Sequence, residues 1–529
     1  MQRMFKKVIV ASVCMLAMFG NAQVSQAEVK TYEGVGEYIM SDFETPDIAK
    51  QRAKARAEQH AAEQAGVYVK SYTRTVNHTL MEDEIVAIAN TIIKIVDVQY
   101  ITNPVSEAGG SFQIVARIRA TVDSVQVDEW LKRDQLKNME LVEQNKQLQA
   151  DKAKLDAELT TLRKKLVNVT NAQEKHVLEK EMVSSDNKFL ANQKIEEGWR
   201  LYNDGKYTEA IDVFTQAIGL DDNNPKAYCA RGAVYDAQDN HTNAMADYNK
   251  AIAIDPNYAY AYNNRGNAYS IQGKQAQAIA DYNKAVALKP NDAKIYYNRG
   301  SAYAKQGSYM QAIADLTKAI TLNLNDAKVY IGRGIVYGVQ GKHMQAIADF
   351  TKAIALAPND AEAYSKRGIA YAQQGSYMQA IADLTKAITL NLNDAKVYIG
   401  RGIVYGVQGK HMQAIADFTK AIALAPNDAE AYSKRGIAYA KQGNYMQAID
   451  DLNKAIAFNP NDAEAYFVRG LANTEQGNYT QAIADLTNAI ALKPNNADAY
   501  YIRGLVYKQL GNIKQANADL AKAKELRGK

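Results

Sequence analysis

Over the last two thirds of the chain, apolar and small residues recur at two intervals. Within residues 327–339 they return every third or fourth position (Ala327, Tyr330, Ile331, Gly334), the period of one helix face. Within 344–356 they do so again (Ala346, Phe350, Ala353). The spacing predicts one helix over Ala327–Val339, ended by Gly341. It predicts a second over Met344–Leu356, ended by Pro358, with Asn359-Asp360 capping the next. This two-helix pattern repeats every 34 residues. Its ruler is the pair Arg-Gly, from Arg231-Gly232 through Arg333-Gly334 to Arg503-Gly504. A Tyr stands four residues before each Gly (Tyr228 to Tyr500), a second Tyr usually three after, and an Ala twelve after (Ala244 to Ala516). Gly334 and Ala346 are small where the helices cross, and Tyr330, Tyr337 and Phe350 are their large partners. Neither helix alone can bury such residues, whereas stacked copies can, so the period predicts a repeat array.

In this copy Tyr330, Gly334, Tyr337, Ala346, Phe350, Ala353 and Pro358 stand at positions 4, 8, 11, 20, 24, 27 and 32. They resemble the tetratricopeptide repeat (TPR) family, whose pattern has aromatic, Gly, Tyr, Ala, aromatic, Ala and Pro there. The match holds for about ten copies over 194–527. It implies a mostly α fold, an α-solenoid whose first helices line a groove for a protein partner, a peptide or a helix. The family has Leu at position 7, where this chain has Arg333. Nine such Arg are matched by nine Asp in the second helices, from Asp247 through Asp349 to Asp519. Structural Arg–Asp pairs are expected, because the acidic column neutralises a cationic ligand ladder. The end copies depart from the pattern, with Lys194, Glu197 and Asp222 in the first and Asn517 and Lys524 in the last, as solvated caps require. Residues 308–375 and 376–443 differ only at Gln373 versus Lys441, a recent duplication.

The resemblance puts groove residues at positions 2, 5, 9, 12 and 13. Position 5 supplies Asn263, Tyr297, Ile331, Ile399, Phe467 and Tyr501. Position 9 supplies Asn267, Ile335, Ile369, Ile403, Ile437, Leu471 and Leu505. The face starts polar and becomes apolar from about Ile331 onward. Either a partner covers this apolar run or the run packs on itself.

The array has three predecessors. Residues 1–27 read as an export signal: Arg3, Lys6 and Lys7, an apolar Val8–Gly20, and Ser25-Gln26-Ala27 before the cut. Residues 28–126 read as a small α+β domain. The expected elements are a strand at Val29–Met40, a helix from Thr45-Pro46 to Gly66 with an Ala stripe, and a strand at Val67–Thr75. A helix at Glu82–Ile93 and a hairpin of Ile95–Val105 and Ser111–Val122 about Gly109-Gly110 follow. Its Gly34-x-Gly36 strand, Ala-rich helix, Glu63–Val67 stretch and closing hairpin resemble an outer-membrane lipoprotein family and the N-terminal domain of a periplasmic flagellar-assembly factor. That resemblance implies a non-catalytic module associated with the envelope. Residues 127–193 form a coiled coil and linker. Leu141, Leu148, Leu155, Leu162 and Val169 are d positions, and Asn145, Lys152, Leu159 and Leu166 are a positions. A parallel coiled coil through 134–169 would make a homo-oligomer; a solvated single helix is the alternative.

Composition then narrows the chemistry. The formal charge is +5, and three of the cations lie in the export signal. So balanced a chain lacks the clustered basic surface that nucleic acid needs. Of two Cys, Cys14 lies in the signal and Cys229 is left alone, which excludes an internal disulfide framework. There is no nucleophile motif, phosphate loop or His pair at metal-ligand spacing, so no enzyme activity, cofactor or metal is expected. The function expected is an exported, periplasmic or envelope-associated adaptor. A structural part of a surface or flagellar apparatus is the alternative.

Overall fold

The computed structural model describes residues 28–40, 44–75, 82–105, 112–132, 135–322 and 326–528. The expected export signal and the Gly109-Gly110 turn lie outside them. The chain divides into two compact units, 1–298 and 299–529.

The first unit opens with β1 (Val29–Met40), α1 (Pro46–Thr75), α2 (Glu82–Ile92), β2 (Lys94–Pro104) and β3 (Phe112–Asp123). The antiparallel sheet has the order β1-β3-β2. Thr45 Oγ1 accepts from the Ile48 N–H at 3.4 Å, and Pro46 takes the first helical position. Ala49, Ala53, Ala57 and Ala61 are all fully buried. They face the glycines of β1: a Cβ on Gly34 would lie 2.0 Å from the Ala57 carbonyl oxygen, and one on Gly36 2.1 Å from that of Ala53. The Ala stripe and the Gly-x-Gly strand thus form one contact, in which helix backbone touches strand backbone.

Two expectations fail in this unit. The helix does not stop at Gly66, and Val67–Thr75 is not a strand; α1 runs on to Thr75. Ala61, Ala65, Tyr68, Val69 and Thr73 are buried at helical spacing, while Val67 is 71% exposed. One helical Gly costs about 1 kcal/mol, less than burial of that continuing stripe returns. The second correction concerns the heptads. Here α3 (Ser124–Lys132), α4 (Gln135–Asn168) and α5 (Ala172–Asn203) follow, and α4 packs on α5 within the chain. Leu159, Leu162 and Leu166 are buried in one cluster with the sheet, α1, Leu178 and Met182. Leu148 packs with Ile195 and Phe214. At Leu148, Leu159, Leu162 and Leu166 the seam expected to join two chains is therefore occupied by the chain's own core. Residues 171–193, expected to be a linker, are ordered helix within α5, which continues into the first repeat.

A buried ion cluster locks this arrangement. Arg52, 1% exposed, donates to Asp156 of α4 and Asp186 of α5 at 2.6 Å each. Its guanidinium carbon lies 4.4 Å from the Phe189 ring centre. Arg163 of α4 pairs with Glu44 and Tyr38. Burial pushes the Asp186 carboxyl above its usual range, against the pull of Arg52.

The repeats form as expected. Helix pairs such as Ala327–Val339 with His343–Leu356 recur to Ala497–Gln509 with Ile513–Arg527. Asp326, Asp360, Asp394, Asp428 and Asp462 cap first helices through their side chains. Between the paired helices the chain turns on a glycine in the left-handed region, such as Gly341 at φ 71°. At the crossing, a Cβ on Gly334 would lie 2.7 Å from the Phe350 ring. Asn517 and Lys524 of the last copy are exposed.

The β1 contact yields a test. Gly36→Ala forces a methyl into the α1 backbone and should destabilise the first unit by about 3 kcal/mol, the upper end for overpacking. Urea denaturation followed by Trp130 and Trp199 fluorescence checks this; an unchanged midpoint would show that α1 does not lie on β1.

Candidate functional site

The repeat helices are held in place by the arginine column. Arg333 donates from Nε to Asp349 Oδ2 at 2.9 Å and from Nη2 to Oδ1 at 2.8 Å. Its remaining nitrogen, Nη1, donates to Thr317 Oγ1 at 3.0 Å, on the second helix of the preceding copy. Tyr330 and Tyr337 flank the guanidinium, each ring centre 5.9 Å away. The carboxylate fork recurs from Arg231–Asp247 to Arg503–Asp519. The third bond recurs on Thr215, Asn249, Thr351, Thr385, Thr419, Asn453 and Thr487. One side chain therefore ties a first helix to two second helices. The planar fork suits this, because a carboxylate occupies one N–H each of Nε and Nη2 and leaves Nη1 free for another acceptor. The hydrogen bond that Arg333 donates to Asp349 holds its guanidinium above its ordinary pKa. Sequence reasoning anticipated the Asp and missed the third ligand. The signal was present: sixteen residues before each of these arginines stands a Thr or Asn. In the first copy Glu197 replaces Arg and pairs with Lys194 at 2.8 Å.

With the first helices so fixed, the two expected groove columns separate. Position 5 turns inward. Asn263, Ile331 and Ile399 are 1%, 5% and 4% exposed, and Ile331 packs with Ala363 and Ala370 of the next first helix. These three are corrected from contact residues to packing residues. Asn263 spends its amide on neighbours: it donates to Asn264 at 3.1 Å and accepts from Asn298 at 2.9 Å. Tyr297 and Phe467 are half-buried, and Tyr501 is exposed beneath Arg527.

Position 9 turns outward in the second unit. Ile335, Ile369, Ile403 and Leu505 are 37–40% exposed, with Ile437 and Leu471 half-buried. In the first unit Asn267 accepts from the Tyr282 hydroxyl at 2.6 Å, which leaves it less free for a ligand. Val339 and Val407 were not singled out from sequence. Each is 60% exposed and stands four residues after Ile335 or Ile403, one turn along the same face. Gly338 and Gly406 beside them have nothing within 4 Å of a built Cβ. This face is thus apolar and partly bare of side chains, and a partner's backbone could come close to it.

The first unit also holds a cavity of about 220 Å³ lined by Arg52, Lys152, Asp156, Glu196, Trp199 and Arg200. Its charges are paired across it, Lys152 with Glu196 and Arg52 with Asp156. Among the described residues no group of three His, Cys, Asp or Glu could hold a metal, and no helix is long and apolar enough to cross a membrane.

Paired antiparallel helices stacked at a fixed period, with an exposed first-helix face, define an α-solenoid built for protein contacts. Models described as TPR repeat match residues 198–239, 237–273, 266–307, 339–375, 407–443 and 470–511. Models described as tetratricopeptide repeat match 293–326, 361–394, 429–462, 452–484 and 497–529. Together they span more than half of the chain, which belongs to the tetratricopeptide repeat family. A search of curated proteins matched none of them. Among solved structures, a tetratricopeptide repeat protein from Parabacteroides merdae is 21% identical over 47% of this chain and 98% of its own, with a TM-score of 0.39. MamA is 30% identical over 30% of this chain and 94% of its own, with a TM-score of 0.29. YrrB, described as a TPR protein with an unusual peptide-binding site, is 24% identical over 35% and 95%, with a TM-score of 0.31.

The arginine column is open to direct test. Arg333→Ala leaves the Asp349 carboxylate, 6% exposed, without its cation. The expected loss is about 3 kcal/mol, as for other broken buried pairs. Arg333→Lys should recover only part of it, because an ammonium cannot hold both carboxylate oxygens and Thr317 in one plane. The urea midpoint of the far-UV dichroism measures both; equal stability of all three chains would remove the column from the account.

Proposed function

We propose that this protein is an exported, non-enzymatic adaptor whose second unit binds an apolar peptide or helix of an envelope partner. The observation that carries the reading is the position 9 row, with Ile335, Ile369, Ile403 and Leu505 exposed rather than packed on one another. Exposed apolar side chains kept at a fixed period on rigid helices are the usual mark of a partner surface. An extended segment or helix would lay its apolar side chains along them, one contact per copy. The small α+β domain, clamped to α4 and α5 by Arg52, is the part we assign to the envelope. Self-association through 134–169 has no place in this reading, since Leu148, Leu159, Leu162 and Leu166 are used within the chain.

Two measurements test it. The full chain carrying Ile335→Lys, Ile369→Lys, Ile403→Lys and Leu505→Lys should keep its thermal melt, because these side chains face solvent. It should lose the envelope proteins that the parent enriches in a pull-down. Retention of every partner by the folded variant ends the groove reading. Export is tested separately: N-terminal sequencing of the protein from its own cells should begin at Glu28, and a start at Met1 rejects the signal.

A further inference from the structure

The second helices carry a row of side chains that neither the packing nor the proposed partner face uses. Met310, Met344, Met378, Met412 and Met446 each take the second position of a second helix, 34 residues apart. They are 69%, 73%, 70%, 76% and 71% exposed. The other copies have Thr208, Thr242, Ala276, Thr480 and Lys514 in this column, so the fold does not require an apolar residue there. An unbranched thioether held in water at that level gains almost nothing from burial. What it retains is its sulfur chemistry, and for that access to solvent is the main requirement.

We propose that these five methionines form a modification site oxidised by hydroperoxides or hypohalous acids. With a hydroperoxide a sulfur lone pair attacks the terminal oxygen, an S–O bond forms and the O–O bond breaks. With hypochlorous acid it attacks chlorine, and the O–Cl bond breaks to release hydroxide. Solvent water then displaces chloride from sulfur, forming the S–O bond and releasing two protons. The thioether is oxidised by two electrons to the sulfoxide. A hydroperoxide is reduced to water or an alcohol, and hypochlorous acid to chloride with one net proton. Solvent water is the only further reactant.

The placement lets this happen without loss of the fold. The sulfurs lie outside the clusters that hold the helices together, so the polar sulfoxide displaces no packing. At Met310 the structure already provides a donor: Gln340 Nε2 of the next copy reaches Sδ at 4.0 Å. A sulfoxide oxygen is a far better acceptor than a thioether sulfur, so oxidation strengthens that link between copies. Among the described side chains outside the row, Met182 is 1% exposed, Cys229 is 2% exposed, and Met40 and Met245 are half-buried. The row thus takes oxidant ahead of the sulfurs whose oxidation would open the core, and it turns an apolar line on the second helices polar.

The test is titration of the full chain with hypochlorous acid, in steps up to one equivalent per row sulfur, followed by peptide mass mapping. The peptides holding Met344 and Met412 are identical and are read as a sum. The row should gain oxygen roughly tenfold faster than Met182, with an unchanged thermal melt. In a chain with all five replaced, Met→Leu, the apolar surface stays and the sulfur goes. The same dose should then fall on Met40, Met245 and Cys229. Even oxidation of Met182 and the row, a lowered melt after row oxidation, or equal protection of Met40, Met245 and Cys229 in the leucine chain would each overturn the proposal.

Discussion

The repeats depend on a single planar group used three ways. A guanidinium offers a fork of two N–H bonds to one carboxylate and keeps a third for another acceptor. Here the fork goes to an Asp in the same copy and the third bond to a Thr or Asn in the copy before. At Arg231, Arg265, Arg333, Arg367, Arg401, Arg435, Arg469 and Arg503 the copy is thereby tied to its predecessor by a directional bond as well as by apolar contact. Tyrosine rings flank the guanidinium on two sides at Arg333, Arg367, Arg401, Arg435 and Arg503. Where one of these rings is replaced, by Asn473, the new amide donates to Asp485 at 3.1 Å and keeps the carboxylate satisfied.

That tie decides which columns are left for binding. Once adjacent first helices are held together, Asn263, Ile331 and Ile399 at position 5 are enclosed, while Ile335, Ile369, Ile403 and Leu505 at position 9 face out. A family pattern puts both columns in a groove; the packing of these residues keeps only one accessible. Val339 and Val407 join the exposed row because a helix returns to the same face after four residues.

The array was legible in the sequence because its period is long and its columns are chemically distinct. Arg, Asp, Gly and Tyr at fixed offsets leave few other ways to stack two helices. The boundaries of α1 and the use of α4 were not legible, for a shared reason. Gly66 has the chemistry of a helix stop, and the Leu141–Val169 heptad has that of an intermolecular seam. Both readings weigh local pattern alone. What overrode them was tertiary burial: Val69 and Thr73 against the sheet domain, and Leu159 and Leu166 in the same core. The buried Arg52, bound by Asp156 and Asp186 more than a hundred residues away, had no local signature. The exposed row was half legible. Its residues could be listed from the period, but which of two columns turned outward needed the helices in place.

The near-identity of 308–375 and 376–443 has a consequence at the level of inheritance. Because Arg333, Arg367, Arg401 and Arg435 each take their ligands from their own copy and the one before, two copies can be gained or lost together without orphaning one of these Arg or Asp. Unequal exchange between the matching stretches of coding sequence therefore yields chains that fold at once. What such an exchange changes is count: two more or two fewer apolar contacts on one side, two more or two fewer thioethers on the other. The lengths of the exposed apolar row and of the thioether row would then change in steps of two while the geometry of each step stays the same.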